Sequence, residues 1–185
     1  MINDVLADAR DRMGKAIEAT RREFGGVRTG RANPSLVENI KVDYYGTPTL
    51  IKQLANINVP EARLLTLQVY DKGAVGAVEK ALRSANLGLN PANDGNLIRL
   101  AIPQLTEQRR KELVKMVHGK AEEGRVSVRN VRRDAMERIR QARKDKEVGE
   151  DDEKRAEGEL QKLTDQFVKD IDRLSHEKEA EVLEV

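Results

Sequence analysis

Between residues 125 and 143 the chain places seven arginines, and those at 125, 129, 132, 133, 140 and 143 share one side of a helix, with Arg138 on another. Guanidinium groups stay protonated and carry no redox chemistry, and their planar fork matches the oxygens of phosphate and carboxylate. On a helix advancing ~100° per residue, these six fall within an arc of roughly 100°. Val128, Val131, Ala135, Ile139 and Ala142 fill a neighbouring arc of roughly 80°. One face of such a helix is a cationic stripe, and its chemistry is the binding of anions.

A charge run of this kind has an ordinary explanation, a solvated face neutralised by salt bridges at i±3 and i±4. Arg125 has Glu122 at that spacing, Arg133 and Arg140 share Glu137, and Arg143 has Glu147. Arg129 and Arg132 have no acid at either spacing and face like charges instead. A hairpin near Gly149 would bring 140–146 against the acidic "EDDEKRAEGE" and 125–133 against roughly 166–174. There Lys169 and Arg173 offset Asp170 and Asp172, so the middle of the stripe stays bare. Arg129, Arg132 and Arg133 are therefore the anion-binding candidates. With so few aromatics (3%) to stack on unpaired bases, a basic rod is suited to the phosphates and shape of a folded RNA or duplex.

Other chemistry is sparse. There is no cysteine, which excludes thiolate catalysis and Cys-based zinc sites, and no metal or cofactor is expected. His118 and His176 lie in no ligand or triad spacing, and "GGVRTGR" lacks the setting and the Lys-Ser/Thr ending of a phosphate loop. The residues predict a protein that is not an enzyme. No apolar run approaches membrane-spanning length, and the opening "MINDVLADARDRMGKAIEA" has no apolar signal core, so the expectation is a cytoplasmic protein with no membrane partner.

The net charge of +2 hides segregation: residues 109–146 carry 14 Lys+Arg against 6 Asp+Glu, and residues 147–185 carry 6 against 14. That pattern suggests an anionic partner for the middle segment, partly masked by the tail.

Three segments have helical period: Val5, Ala9, Met13, Ala16, Thr20, Phe24 and Val27; Leu113, Val117, Ala121, Gly124, Val128, Val131, Ala135, Ile139 and Ala142; and Leu160, Leu163, Phe167, Ile171 and Leu174. Thr106 before Glu107 is a start signal for the second helix, which at roughly 40 residues would be a rod about 60 Å long. Gly25, Gly26, Gly124 and Gly158 either mark close helix approach or let a helix fray.

Between the first two stripes the period changes to two at Ile40, Val42 and Tyr44 and again at Leu65, Leu67 and Val69. "TPTLIKQLANINV" and "LIRLAI" read as further strands, "GAVGAVEKALRSANLG" as one helix and "NPANDGN" as a loop. Nothing decides whether Tyr45 is surface or core. The predicted fold is α+β with two domains: a three-helix bundle from 1–30 plus 105–185, and a small α/β domain inserted at 31–104. The connections predict a hinge at Gly30, Ala32, Asn33, Pro103, Gln104, Leu105 and Thr106. Gly30 is expected to adopt backbone geometry that a side chain would resist.

Four motifs in order carry a resemblance: "VRTGRANPSL" from Val27, "VDYYGTPT" from Val42, "SANLGLNPAND" from Ser84 and "VSVRNVRRDAMERIR" from Val126. Together with "KDKEVGEDDEKR" and "QKLTDQFVKDID", this text resembles the ribosome recycling factors across the whole chain. Leu50, where many members have proline, is a departure, and Gly25, Gly26 and Gly124 are less usual there. The resemblance implies an L-shaped, tRNA-like protein of a three-helix bundle and a β/α/β sandwich, acting as a monomer. It implies that the 70S ribosome, large-subunit ribosomal RNA and elongation factor G are its partners. With that factor and GTP it would split the subunits and release messenger RNA and deacylated transfer RNA after translation termination, without catalysis of its own. By motif the RNA-facing positions are Arg129, Arg132 and Arg133, joined by Arg28 and Arg31 of "RTGR". Two rival readings remain: a coiled-coil scaffold whose basic stripe binds its own acidic helix, and a general nucleic-acid chaperone.

Overall fold

The computed structural model describes residues 1–184 and divides into two compact units, residues 1–28 with 107–183 and residues 29–106 with 184. Unit 1 is built of three helices: α1 (Ile2–Gly25), α4 (Glu107–Lys144) and α5 (Glu150–Leu183). At 38 residues α4 is about 57 Å long, and it starts directly after Thr106, as the sequence predicts. The turn joining it to α5 ends at Gly149 and contains Lys146 in left-handed backbone, φ +59°.

The apolar stripes face one another as the core of unit 1, and all nine stripe residues of α4 are buried, with Met136 added. In α1 the buried position is Ile17; Ala16, chosen from the i+3 step, is only half-buried. Phe167 is also half-buried, while Thr164 and Ser175 go inside, and the Thr164 hydroxyl donates to the Leu160 carbonyl at 2.8 Å.

The alternatives for the glycines resolve at Gly124. A Cβ there would lie 2.4 Å from Thr20 Oγ1 and 3.3 Å from Ile171 Cδ1, so glycine is what lets α1 and α5 close on α4. Gly25 and Gly158 face open space.

Unit 2 holds a two-stranded hairpin, β1 (Lys41–Tyr44) with β2 (Thr47–Leu50), and a four-stranded antiparallel sheet in the order β3-β4-β6-β5. These strands are β3 (Ala55–Glu61), β4 (Leu64–Val69), β5 (Pro91–Asp94) and β6 (Leu97–Ala101). Helix α3 (Val75–Ser84) packs against β1 and β5. One apolar core joins Val42, Leu65, Leu67, Val69, Val78, Leu82, Ile98 and Leu100. This is the β/α/β arrangement expected of the inserted segment.

Two sequence expectations need correction here. The segment 47–59 is not one strand: a helical turn, α2 (Ile51–Leu54), separates β2 from β3. Ile51 and Leu54 are three apart and both buried, which a single turn achieves and an extended strand does not. The Leu50 N–H donates to Gln53 Oε1 at 3.3 Å, a bond that proline at this position would not make. Secondly, "NPANDGN" is mostly strand. Pro91 opens the edge strand β5, where a missing N–H is tolerated, and Gly95 (φ +68°) leads the two-residue turn into β6.

The tip of the β3–β4 hairpin holds both ends of the unit. The Ala62 carbonyl accepts from Ala32 N at 2.7 Å, and the Arg63 carbonyl accepts from Ile102 N at 2.8 Å.

Candidate nucleic-acid interface

Helix α4 is held along both flanks by ion pairs and by one histidine–glutamate contact. Toward α1, Lys120 pairs with Glu23 at 2.6 Å, Asp134 with Arg12 at 2.9 Å and Arg138 with Asp8 at 3.0 Å. The lysine's hydrogen bond and charge lower the Glu23 pKa. Toward α5, His118 Nε2 lies 3.1 Å from Glu179, Arg125 Nε 2.8 Å from Asp172, and Arg143 4.0 Å from Glu150.

Those pairs sort the stripe. Arg125, with its side chain only 23% exposed, donates to Asp172 and, at 3.0 Å, to Glu122. Burial alone would lower its pKa, yet the hydrogen bonds to Asp172 and then Glu122 leave it raised. It belongs to the fold.

Arg129 corrects the sequence reading. Its Nη1 reaches back two turns to Glu122 Oε1 at 3.4 Å, so it is not without an acid on its own helix. A long side chain leaning toward the helix N-terminus spans a distance that an i±4 count omits. The expected pairings of Glu137 with Arg133 and Arg140 do not form, and Arg143 chooses Glu150 over Glu147.

Arg132, Arg133 and Arg140 make no ion pair among the described residues. Arg132 goes further: its Nε is buried with no hydrogen-bond partner. An unpaired buried donor costs about 1–3 kcal/mol. Sequence reasoning had assigned Arg140 to Glu137 and so missed it. It also missed Arg110, whose Nε is buried and unpartnered too. Neither carries a spacing signal that would have found it.

The remaining predicted positions lie in or beside unit 2. Arg28 already has an interaction partner. Arg31 is ion-paired with Glu184, and its backbone N–H donates to Thr29 Oγ1 at 3.4 Å. Of the predicted hinge residues, Ala32 is tied to Ala62, and the Asn33 side chain accepts from Ser35 N at 3.0 Å, capping the turn Pro34–Leu36. Pro103 and Gln104 border a cavity of about 440 Å³ with Glu61 and Arg63. Gly30 does not have left-handed backbone, and a Cβ there would meet Leu105 only at 4.0 Å, so the expected steric need for glycine is absent. Leu105 is half-buried and Thr106 has a partner of its own.

No group of His, Cys, Asp and Glu able to hold a metal occurs among the described residues, and no helix there is long and apolar enough to cross a membrane. Along α4 the arrangement leaves the guanidinium groups of Arg132, Arg133 and Arg140 without an ion pair among the described residues.

A family model described as ribosome recycling factor matches residues 20–183. The ribosome-recycling factors of Thermomicrobium roseum and Syntrophomonas wolfei are 53% and 54% identical over 185 residues, covering all of this chain and of each relative. That of Kocuria rhizophila is 56% identical over 99% of both chains. A solution structure of the ribosome recycling factor matches with a TM-score of 0.78 at 47% identity, covering 100% of this chain and 98% of the other. A second structure describes the T. thermophilus ribosome recycling factor and E. coli elongation factor G bound to the E. coli post-termination complex. It matches with a TM-score of 0.66 at 43% identity, with 100% of both chains covered. On motifs, fold and full-length identity alike, the chain belongs to the ribosome recycling factor family.

Proposed function

We propose that the α4 stripe binds large-subunit ribosomal RNA on the 70S ribosome after termination. With elongation factor G and GTP, the protein then promotes separation of the subunits and release of messenger RNA and deacylated transfer RNA. The observation that carries this reading is that Arg132, Arg133 and Arg140 stay unpaired while cations on both flanks of the same helix are paired. Flank pairs fix the rod, and the bare guanidinium groups are kept for phosphate oxygens, which they engage with charge-assisted hydrogen bonds. Arg31 joins them once it is released from Glu184.

No bond-making step is assigned to this chain. The work of separation comes from GTP hydrolysis in the elongation factor, and the cytoplasm is the compartment where that cycle runs. Unit 2 takes the push of the factor, and the segments around 28–31 and 103–106 act as the swivel. Ala32 and Asn33, both hydrogen-bonded within unit 2, move with it rather than flex.

Co-sedimentation tests the reading: the chain, as a monomer, should pellet with 70S particles and 50S subunits, and far less with 30S subunits or free duplex RNA. Light scattering should show loss of 70S particles only when elongation factor G and GTP are added. Equal binding to any duplex would instead favour a general nucleic-acid chaperone, and no binding to ribosomes a scaffold.

A further inference from the structure

All three tyrosines of the chain, Tyr44, Tyr45 and Tyr70, lie in unit 2, whereas its two phenylalanines, Phe24 and Phe167, lie in helices of unit 1. Tyr45 is 75% exposed and Tyr70 67%, so the exposed aromatic surface among the described residues is gathered in one unit. Neither ring is placed by burial.

Tyr45 also occupies the first central position of the β1–β2 turn with φ +49°, a conformation that asparagine or glycine adopts at lower cost. Its ring is nevertheless fixed. It packs edge-on against Tyr44 with centroids 4.7 Å apart. Its hydroxyl donates to Asp71 Oδ2 at 3.2 Å, beside the Tyr44 hydroxyl at 3.0 Å. Gly73 N donates to the other carboxylate oxygen at 2.9 Å, and a Cβ at residue 73 would fall 2.8 Å from the Tyr45 hydroxyl oxygen. Across the turn, Asp43 Oδ1 accepts from Gly46 N at 2.8 Å. The Asp71 carboxylate therefore anchors one exposed ring, the Asp43 carboxylate belongs to the same turn, and Lys72 is next along the chain after Asp71.

An aromatic face attracts a guanidinium or ammonium group, and a neighbouring carboxylate adds a charge-assisted hydrogen bond. A nucleobase can stack on the same ring, but its phosphates would approach Asp43 and Asp71. We propose that the Tyr45–Asp71 corner of unit 2 is a docking point for an arginine or lysine side chain of a protein partner. The proposal is independent of RNA binding by α4, since the unit, the residues and the sign of the charge all differ. The Gly73 N–H, followed by the Tyr44 hydroxyl, lowers the Asp71 pKa, which keeps the carboxylate ionised for such a partner.

The test is an NMR titration of the isotopically labelled whole chain with three probes: acetyl-Arg-Arg-Arg-amide, the matching tri-glutamate and a single-stranded uridine hexanucleotide. Tri-arginine should shift the Gly46, Gly73 and Tyr45 resonances saturably, and the other two probes should not. Tyr45→Ala should weaken that response by about two- to five-fold, the scale of an exposed cation–π contact. Asp71→Asn, which keeps an acceptor for Gly73 but removes the charge, should also weaken it, whereas Tyr45→Phe should preserve most of it. Shifts confined to the acidic start of α5, a stronger response to the hexanucleotide, or no effect of Asp71→Asn in a chain with otherwise unchanged spectra would each overturn the proposal.

Discussion

Replacing Arg132 by alanine separates a structural arginine from a binding one. In the free protein the substitution removes like-charge proximity to Arg129, worth a few tenths of a kcal/mol. It also removes a buried Nε without a partner, an orphan donor that costs about 1 kcal/mol or more. Against these gains stands the loss of packing along the half-buried stem, about 0.8 kcal/mol per methylene. The net is within about 1 kcal/mol of zero, a shift in Tm of no more than about 2–4 °C. On the ribosome the same change deletes a charge-assisted contact to phosphate, worth about 1.5–3 kcal/mol, which is roughly 10- to 150-fold in Kd. The slope of log affinity against log salt should fall by about 1. Calorimetric melting of the free chain and filter binding to 50S subunits at several salt concentrations measure both halves. A variant that melts well below the parent yet binds 50S subunits with unchanged affinity and salt slope would refute the reasoning, because Arg132 would then be serving the fold.

Arg140→Ala should lower the salt slope in the same assay with no loss of stability, since its expected partner Glu137 does not hold it. Arg125→Ala should do the opposite, lowering Tm by breaking the contacts to Asp172 and Glu122 while the salt slope moves little. Gly124→Ala should destabilise unit 1 by about 1–3 kcal/mol, because its Cβ meets Thr20 Oγ1 at 2.4 Å, and Thr20→Ala in the same chain should recover part of that loss in thermal melts. Asp71 has a folded pKa below its ordinary 3.8, so its contribution is fully present above that value and fades as pH falls through the lowered one. Tyrosine fluorescence and the Gly73 amide shift should therefore stay constant from neutral pH to about 4 and change together below it.

The heptad-like stripes made the bundle legible because burial in a helix follows spacing, and every stripe residue named for α4 is inside. In α1 the same rule chose Ala16 over Ile17, since steps of three and four both satisfy the period and only packing decides. Pro91–Asp94 could not be read as a strand, because an edge strand with one buried residue needs no alternation. The interface was legible in part. Arg132 is identified by the absence of acids at i±3 and i±4, a local property, and Arg133, despite Glu137 at i+4, by its place in the middle of the stripe. Arg129 escapes the spacing rule because its guanidinium reaches a carboxylate two turns away, and Arg140 because an acid at i−3, Glu137, does not by itself form a pair. Tyr45 gave no sign at all, since its partner Asp71 is 26 residues distant in sequence.

The two hydrogen bonds at the β3–β4 tip bear on the order in which the chain folds. Ala62 and Arg63 are neighbours, so residues 32 and 102, each bonded to one of them, are held a short distance apart once unit 2 is formed. To α1 and α4, a folded unit 2 is then no longer an eighty-residue tether but the equivalent of a loop of about ten, which lowers the entropic cost of joining the two helices by about 2 kcal/mol. Residues 29–106 leave the synthesising machinery before α4 and α5, so the unit can close while α1 still lacks both partners. The insertion that interrupts the bundle in sequence thereby shortens the path by which the bundle assembles.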